Sequence, residues 1–420
     1  PWNRRSIRFG RQLALERTSG LHSSLFLCST MSVYPKKIVI LGATGSIGDN
    51  TLEVLRKHKD KFELVGVACN RSTTKLAKIC EEFEVPQACV YDESAYDQAL
   101  AKDEFPHTNL DVGMAGLENL ACLPDADIVL VAVVGTLGLT PALAAVRSGK
   151  DLALASKEIL VMAGKFFTEA VNKAQVRLLP IDSEHNAIFQ CLNGESYDSI
   201  KNIILTASGG MFRKRPLDTF GSITPEEATQ HPNWSMGRKI TVDSATMANK
   251  GLEIIEAHWL FGLAPENIKV MIHPTSIIHS LVEFIDGCIL AQLSPPSMTF
   301  AIQHALFYPD RFPETLPSLD FTETLNLELT PPDTERYPCL ELAYQALRAG
   351  GNASTTYNAA NEVGVDAFLM NQISFDRIPI IIEKTLENTP NREPQSLTEV
   401  IETDLIARHN ANSLIQSRSY

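Results

Sequence analysis

The sequence predicts an α/β fold in three parts: a doubly wound sheet, a second and mixed α/β unit, and a C-terminal α-helical bundle. Three observations lead there. Short apolar runs alternate with helical spacing from residue 37 to about 180, a glycine-studded turn follows the first run, and helical periodicity dominates beyond residue 338. The 420 residues leave room for two or three domains. A composition of 44% apolar and 21% charged residues is that of a globular chain.

Residues 1–30 carry five Arg, one Glu and several Ser, with no periodic core pattern before Met31. We read them as upstream or vector-derived sequence outside the fold; a transit peptide, also basic and poor in acids, is the alternative. Next, Lys36-Lys37-Ile38-Val39-Ile40-Leu41 feeds Gly42-Ala43-Thr44-Gly45-Ser46-Ile47-Gly48, and Asn50 to Leu55 continues with helical spacing. Strand, glycine turn and helix in that order make a dinucleotide site, because glycines let the backbone approach a pyrophosphate at the helix N-terminus. This part is therefore a Rossmann-like nucleotide domain, expected over 31–180. Its second strand, Phe62 to Ala68, ends in Cys69-Asn70-Arg71-Ser72. An NAD enzyme places an acid near that point for the ribose hydroxyl, whereas Arg71 flanked by Asn70 and Ser72 favours a 2′-phosphate. The expected cofactor is NADPH.

Further strands of the first sheet are expected near 127–134, 151–155 and 176–181. The most apolar stretch, Ala126 to Val146, is interrupted by Asp127, Gly135, Gly138 and Pro141, so it divides into strand, loop and short helix and does not span a membrane. Strands at 203–206, 240–242, 270–272, 279–285 and 288–293, with fewer helices between them, predict the mixed α/β domain over 181–308. Six prolines in 309–338 give that stretch the composition of a linker. Helices fill 339–420, among them one opened by the capping box Ser396-Leu397-Thr398-Glu399 and carrying the apolar stripe Ile401, Leu405 and Ile406.

A formal charge of −13 argues against nucleic acid or an anionic membrane as the main partner. The eight cysteines form no CxxC pair, which suits reduced thiols in a cytosol-like compartment. The chemistry is concentrated in three carboxylates. Asp182 and Glu184 follow the apolar run ending at Ile181, and positions i and i+2 of an extended segment point the same way. With Glu253, in Asn249-Lys250-Gly251-Leu252-Glu253, they make an all-oxygen set suited to a hard divalent cation, Mg²⁺ or Mn²⁺.

Five motifs then match one family in order: Gly42 to Gly48, Ile181-Asp182-Ser183-Glu184-His185-Asn186-Ala187, Thr206-Ala207-Ser208-Gly209-Gly210, His231-Pro232-Asn233-Trp234-Ser235-Met236-Gly237 and Asn249 to Glu253. The chain from about residue 36 onward resembles the 1-deoxy-D-xylulose 5-phosphate reductoisomerases. The resemblance implies a homodimer with an N-terminal NADPH domain, a central catalytic domain and a C-terminal helical domain. It implies rearrangement of 1-deoxy-D-xylulose 5-phosphate and reduction of the resulting aldehyde to 2-C-methyl-D-erythritol 4-phosphate, in isoprenoid precursor synthesis.

Carried over residue by residue, the resemblance makes Asp182, Glu184 and Glu253 the metal ligands, and Lys157, Glu184, His231, Lys250 and Glu253 the catalytic groups. Lys157, Ser183, Glu184, His231, Trp234 and Glu253 would contact substrate, while Ser208, Ser244, Asn249 and Lys250 would hold its phosphate. Thr44, Gly45, Ser46, Ile47, Asn70, Arg71, Ser72, Ser156, Glu158 and Gly237 would contact the cofactor. A flap over about 225–240, carrying His231, Trp234 and Met236, would close over substrate. His185, His258 and His304 are read as structural. The sequence departs from the usual family pattern at Ser156, at Cys69-Asn70-Arg71-Ser72 and at Pro295-Pro296-Ser297-Met298, so Ser297 is assigned no role. An NADP-dependent dehydrogenase with a structural metal and a silent cofactor-binding protein are the rival readings; cation-dependent turnover separates them from this one.

Overall fold

The computed structural model describes residues 34–231, 234 and 236–418, so residues 1–30 lie outside the described residues. Seven parallel strands form the first sheet: β1 (Lys36–Leu41), β2 (Phe62–Cys69), β3 (Gln87–Val90), β4 (Asn109–Val112), β5 (Ile128–Val131), β6 (Asp151–Leu154) and β7 (Leu178–Pro180). Their order is β4-β3-β2-β1-β5-β6-β7, so the winding direction reverses at β1, and the crevice beyond the C-terminal ends of β1 and β5 is the natural ligand position. Gly42 (φ +100°) makes that crevice: a Cβ there would lie 2.5 Å from the Ala132 carbonyl oxygen. The strands β3 and β4 had too little apolar length to be read from the sequence.

The second sheet contains β8 (Ile200–Ala207), β9 (Ile268–Ile272), β10 (Ile278–Phe284) and β11 (Ile289–Leu293), in the order β11-β10-β8-β9. β8 and β9 are parallel, while β10 runs antiparallel to β8 and β11. The strand expected at 240–242 is instead part of the helix Arg238–Thr246, where Thr241, Val242 and Ala245 are buried at helical spacing. A three-residue β-branched run cannot outweigh a helical register with a buried face.

Beyond the helix Met298–Phe307, the stretch up to Tyr337 contains no helix or named strand, as linker composition implies; Thr330 alone bridges to Ile272. Four longer helices follow, Pro338–Ala349, Ala353–Leu369, Ile378–Asn388 and Leu397–Ser417. The Ser396 side chain accepts from the Glu399 amide, as a cap should, although the Glu399 carboxylate reaches back to the Gln395 amide and not to that of Ser396. The stripe of Ile401, Leu405 and Ile406 does not face the core: these residues are 43%, 61% and 51% exposed. The buried face is Val400, Thr403, Asp404, Ala407 and Ala411, because small side chains allow close helix packing and Asp404 is paired with Arg408.

Candidate active site

β7 ends at Pro180 and Asp182 caps the helix Ser183–Cys191, so Asp182 and Glu184 are not on an extended strand. They are brought together by the first helical turn, where acidic residues are favoured by the dipole. Glu253 comes from the second turn of Ala248–Phe261, a helix joined to Arg238–Thr246 through the left-handed Met247. Asp182, Glu184 and Glu253 each offer an oxygen within 4.8 Å of the others.

Two lysines thread this cluster. Lys157, at the start of the helix Glu158–Ala174, pairs with Asp182, lies 3.1 Å from Glu253 Oε1 and donates to Asn249 Oδ1 at 3.0 Å. Lys250 pairs with Glu253 and lies 2.7 Å from Glu184 Oε1. Asn249 Nδ2 donates to Glu253 Oε1 at 2.5 Å, and Ser183 Oγ donates to Glu184 Oε2 at 2.6 Å. Lys157, Lys250 and Glu253 are all buried.

The electrostatics show what this cluster lacks. Burial alone would raise the Asp182 carboxyl, but Lys157, with His185 and Lys250 behind it, holds it well below the usual carboxylate range. Burial and the Glu184 charge push Glu253 the other way, and burial and Asp182 push Glu256 well up. Burial would lower Lys157, yet Asp182, Glu253 and Glu256 outweigh it and keep it protonated. Three carboxylates meet only two ammonium groups in this cluster, and burial leaves little water to balance the remaining negative charge. A divalent cation fits that deficit.

Of the residues expected to hold a phosphate, Asn249 and Lys250 stand among the carboxylates, while the turn carrying Ser208 packs against Ser244. Gly210 has φ +66°, and a Cβ on it would lie 2.8 Å from the Ser244 carbonyl oxygen, so only glycine lets the Ser208-Gly209-Gly210 turn press against Ser244. Ser208 Oγ lies 3.1 Å from His231 Nε2, and the Trp234 amide donates to His231 Nδ1 at 3.1 Å. The Trp234 indole meets His279 edge-on at 6.4 Å. Of the expected flap, Pro232, Asn233 and Ser235 lie outside the described residues.

On the cofactor side, Gly45 caps the helix Ser46–Lys57 without a side-chain bond, and Gly45 and Ser46 are exposed beside the partly exposed Thr44 and Ile47. Lys75 donates to the Thr44 carbonyl at 3.0 Å and pairs with Asp49, adding positive charge at this turn. Asn70, Arg71 and Ser72 follow β2; Arg71 is exposed and engages Asp92 at 2.8 Å. The Ser156 hydroxyl turns inward to the Val133 carbonyl at 2.5 Å, leaving its backbone to meet any ligand. Glu158 pairs with Lys239 at 3.3 Å, two residues past Gly237.

His258 Nδ1 lies 2.7 Å from the Leu263 carbonyl, and His304 packs edge-on against Phe189; both are structural, as expected. His185 is more than packing. Its Nε2 lies 2.9 Å from the Glu253 carbonyl and its Nδ1 3.1 Å from Glu256 Oε2, so it supports the ligand cluster from behind. Burial lowers its pKa to about 4, which keeps it neutral. The helical offsets from Asp182 to His185 and from Glu253 to Glu256 were the sequence signal for this pair. Lys239 had none.

Family models tile the chain: 1-deoxy-D-xylulose 5-phosphate reductoisomerase over residues 38–164, its C-terminal domain over 178–261, and a further DXP reductoisomerase C-terminal domain over 293–410. The reductoisomerase of Nitrosomonas eutropha is 46% identical over 392 residues, 92% of this chain and 95% of the relative. That of Cupriavidus pinatubonensis is 49% identical over 385 residues, 90% of this chain and 98% of the relative. The chain belongs to the 1-deoxy-D-xylulose 5-phosphate reductoisomerase family. Solved members of the family superpose on most of the chain. The Zymomonas mobilis reductoisomerase in complex with NADPH is 41% identical with a TM-score of 0.85, covering 91% of this chain and 100% of that one. A DOX-P reductoisomerase in complex with NADPH, fosmidomycin and magnesium is 38% identical with a TM-score of 0.86, covering 91% and 98%.

Proposed function

We propose that this chain is an NADP-dependent oxidoreductase that rearranges and reduces 1-deoxy-D-xylulose 5-phosphate to 2-C-methyl-D-erythritol 4-phosphate, the family reaction in non-mevalonate isoprenoid precursor synthesis. The observation that carries the reading is the buried meeting of Asp182, Glu184 and Glu253 with Lys157 and Lys250. A divalent cation, Mg²⁺ or Mn²⁺, bound by the three carboxylates supplies Lewis acidity toward the ketone and a neighbouring hydroxyl oxygen of the substrate. NADPH, seated on the turn Thr44-Gly45-Ser46-Ile47, supplies the hydride.

The chain's own groups do the rest. Lys157 and Lys250 place fixed positive charge where enolate-like charge develops as the carbon skeleton rearranges. Ser208, Ser244, Asn249 and Lys250 hold the phosphate, and His231 and Trp234 cover the substrate and exclude water. Arg71 reads the cofactor 2′-phosphate, with Asn70 and Ser72 beside it, while Glu158, Gly237 and the backbone of Ser156 border the nicotinamide. The domains we assign are an NADPH domain over 31–180, a catalytic domain over 181–308, a linker over 309–338 and a helical domain over 339–420. The homodimer is proposed to form on the edge strand β11, where Ile289 and Leu290 are exposed beside Ile285 of the preceding turn. Among the described residues no helix is long and apolar enough to cross a membrane. The cytoplasm is the proposed compartment, with the plastid as alternative if residues 1–30 are a transit peptide.

The test is NADPH oxidation with 1-deoxy-D-xylulose 5-phosphate after chelation and after return of Mg²⁺ or Mn²⁺. Turnover should appear only with the cation. Equal turnover in chelator, or none in either condition, would overturn the reading.

A further inference from the structure

A second set of buried charges lies between this site and the C-terminal helices. Lys239 stands in the first turn of Arg238–Thr246, at the C-terminal end of the expected flap. A cation there opposes the helix dipole, so other groups must hold it. Its Nζ lies 3.3 Å from Glu158 Oε1 and 2.9 Å from Asp243 Oδ2. Asp243, only 1% exposed, accepts a further bond at Oδ1, 2.9 Å from Asn361 Nδ2 on the helix Ala353–Leu369. One ammonium and one carboxylate thus join three segments: the turn carrying Ser156, Lys157 and Glu158, the helix into which the flap runs, and the helix Ala353–Leu369 packed against both. Burial would lower Lys239, but Asp243 and Glu158 outweigh it and keep the ammonium charged.

Such a bridge contributes little net stability compared with apolar packing, yet it fixes the relative placement of the groups it joins. Building on the function proposed above, we infer that Lys239 is a positioning residue that couples the two ligands: cofactor bound against the Glu158 turn sets, through Lys239, the base of the segment that brings His231 and Trp234 to the substrate. Lys239 is not among the residues proposed above to contact either ligand. Its effect is therefore on how strongly one ligand favours the other, a coupling that must be reciprocal.

The experiment measures NADPH affinity by nicotinamide fluorescence, with and without saturating fosmidomycin and Mg²⁺, and fosmidomycin affinity with and without NADPH. In the unmodified protein each ligand should strengthen the other by about tenfold or more, within the usual range of such couplings. Lys239→Met should reduce that factor to about twofold or less while each ligand alone binds within about threefold of normal, and Lys239→Arg should restore most of it. Coupling undiminished in Lys239→Met, or no coupling in the unmodified protein, overturns the inference. If Lys239→Met does not fold, Lys239→Gln, which keeps a hydrogen-bonding side chain without the charge, must reduce the coupling, and an unchanged value overturns the inference equally. Failure of the unmodified protein to bind either ligand would instead refute the function proposed above.

Discussion

Glu253→Gln is the most informative single change in this chain. Glu253 Oε1 accepts from Lys157 at 3.1 Å and from Asn249 at 2.5 Å, and its other oxygen accepts from Lys250. A glutamine keeps one acceptor and turns the other into a donor that faces an ammonium or an amide donor. It also removes one of three anionic ligands. Loss of one preorganised electrostatic group costs about 10²–10³ in kcat, or roughly 3–4 kcal/mol of transition-state stabilisation. NADPH affinity should survive, since the glycine turn is built on β1 and the helix Ser46–Lys57, away from Glu253.

The effect on stability in metal-free protein should depend on pH. Glu253 has its pKa raised by burial and by Glu184, so the folded state binds its proton more tightly than the unfolded state does. The stability from that proton is fully present below the ordinary carboxylate pKa and is lost as pH rises through the raised value, a loss that the unionisable glutamine does not suffer, so the variant should gain on the unmodified protein as pH rises. The assays are steady-state NADPH oxidation against Mg²⁺ concentration, NADPH fluorescence titration, and thermal unfolding in chelator. A variant with kcat within about threefold of normal at saturating Mg²⁺ would refute the ligand role. A difference in metal-free stability that is the same at every pH would refute the charge argument.

Other outcomes follow from the same geometry. Arg71→Ala should raise the KM for NADPH and leave kcat and the NADH reaction nearly unchanged, the mark of lost uniform binding; equal damage with both nucleotides would mean that Arg71 does not read the 2′-phosphate. Gly210→Ala forces a side chain into a left-handed conformation and against Ser244, so it should cost about 1–3 kcal/mol in unfolding experiments and raise the KM for substrate more than that for NADPH. A substrate lacking the phosphate should lose kcat as well as affinity, because remote binding energy drives closure. Fosmidomycin with Mg²⁺ and NADPH should change the emission of a variant whose only tryptophan is Trp234, and an unchanged spectrum would return Trp234 to a packing role.

Much of this protein was determined by local sequence. The run from Lys36 to Leu41 followed by Gly42 specifies strand then turn because apolar periodicity and the conformational freedom of glycine act within a few residues. The proposed metal ligands were legible as residue types, since three carboxylates in a chain with a nucleotide turn suit a hard cation. What the sequence could not decide was geometry that depends on distant partners. Asp182 and Glu184 converge through a helix start and not through strand alternation, and residues 240–242 become helix because their buried face lies on helical spacing. The stripe at Ile401, Leu405 and Ile406 has the right periodicity for a core face, yet the smaller residues on the other side allow closer packing and take the interior. His185, Glu256 and Lys239 acquire their roles only where separate segments meet, because a charge or a ring is ordinary in sequence and becomes consequential when burial removes water and leaves other side chains as its only partners.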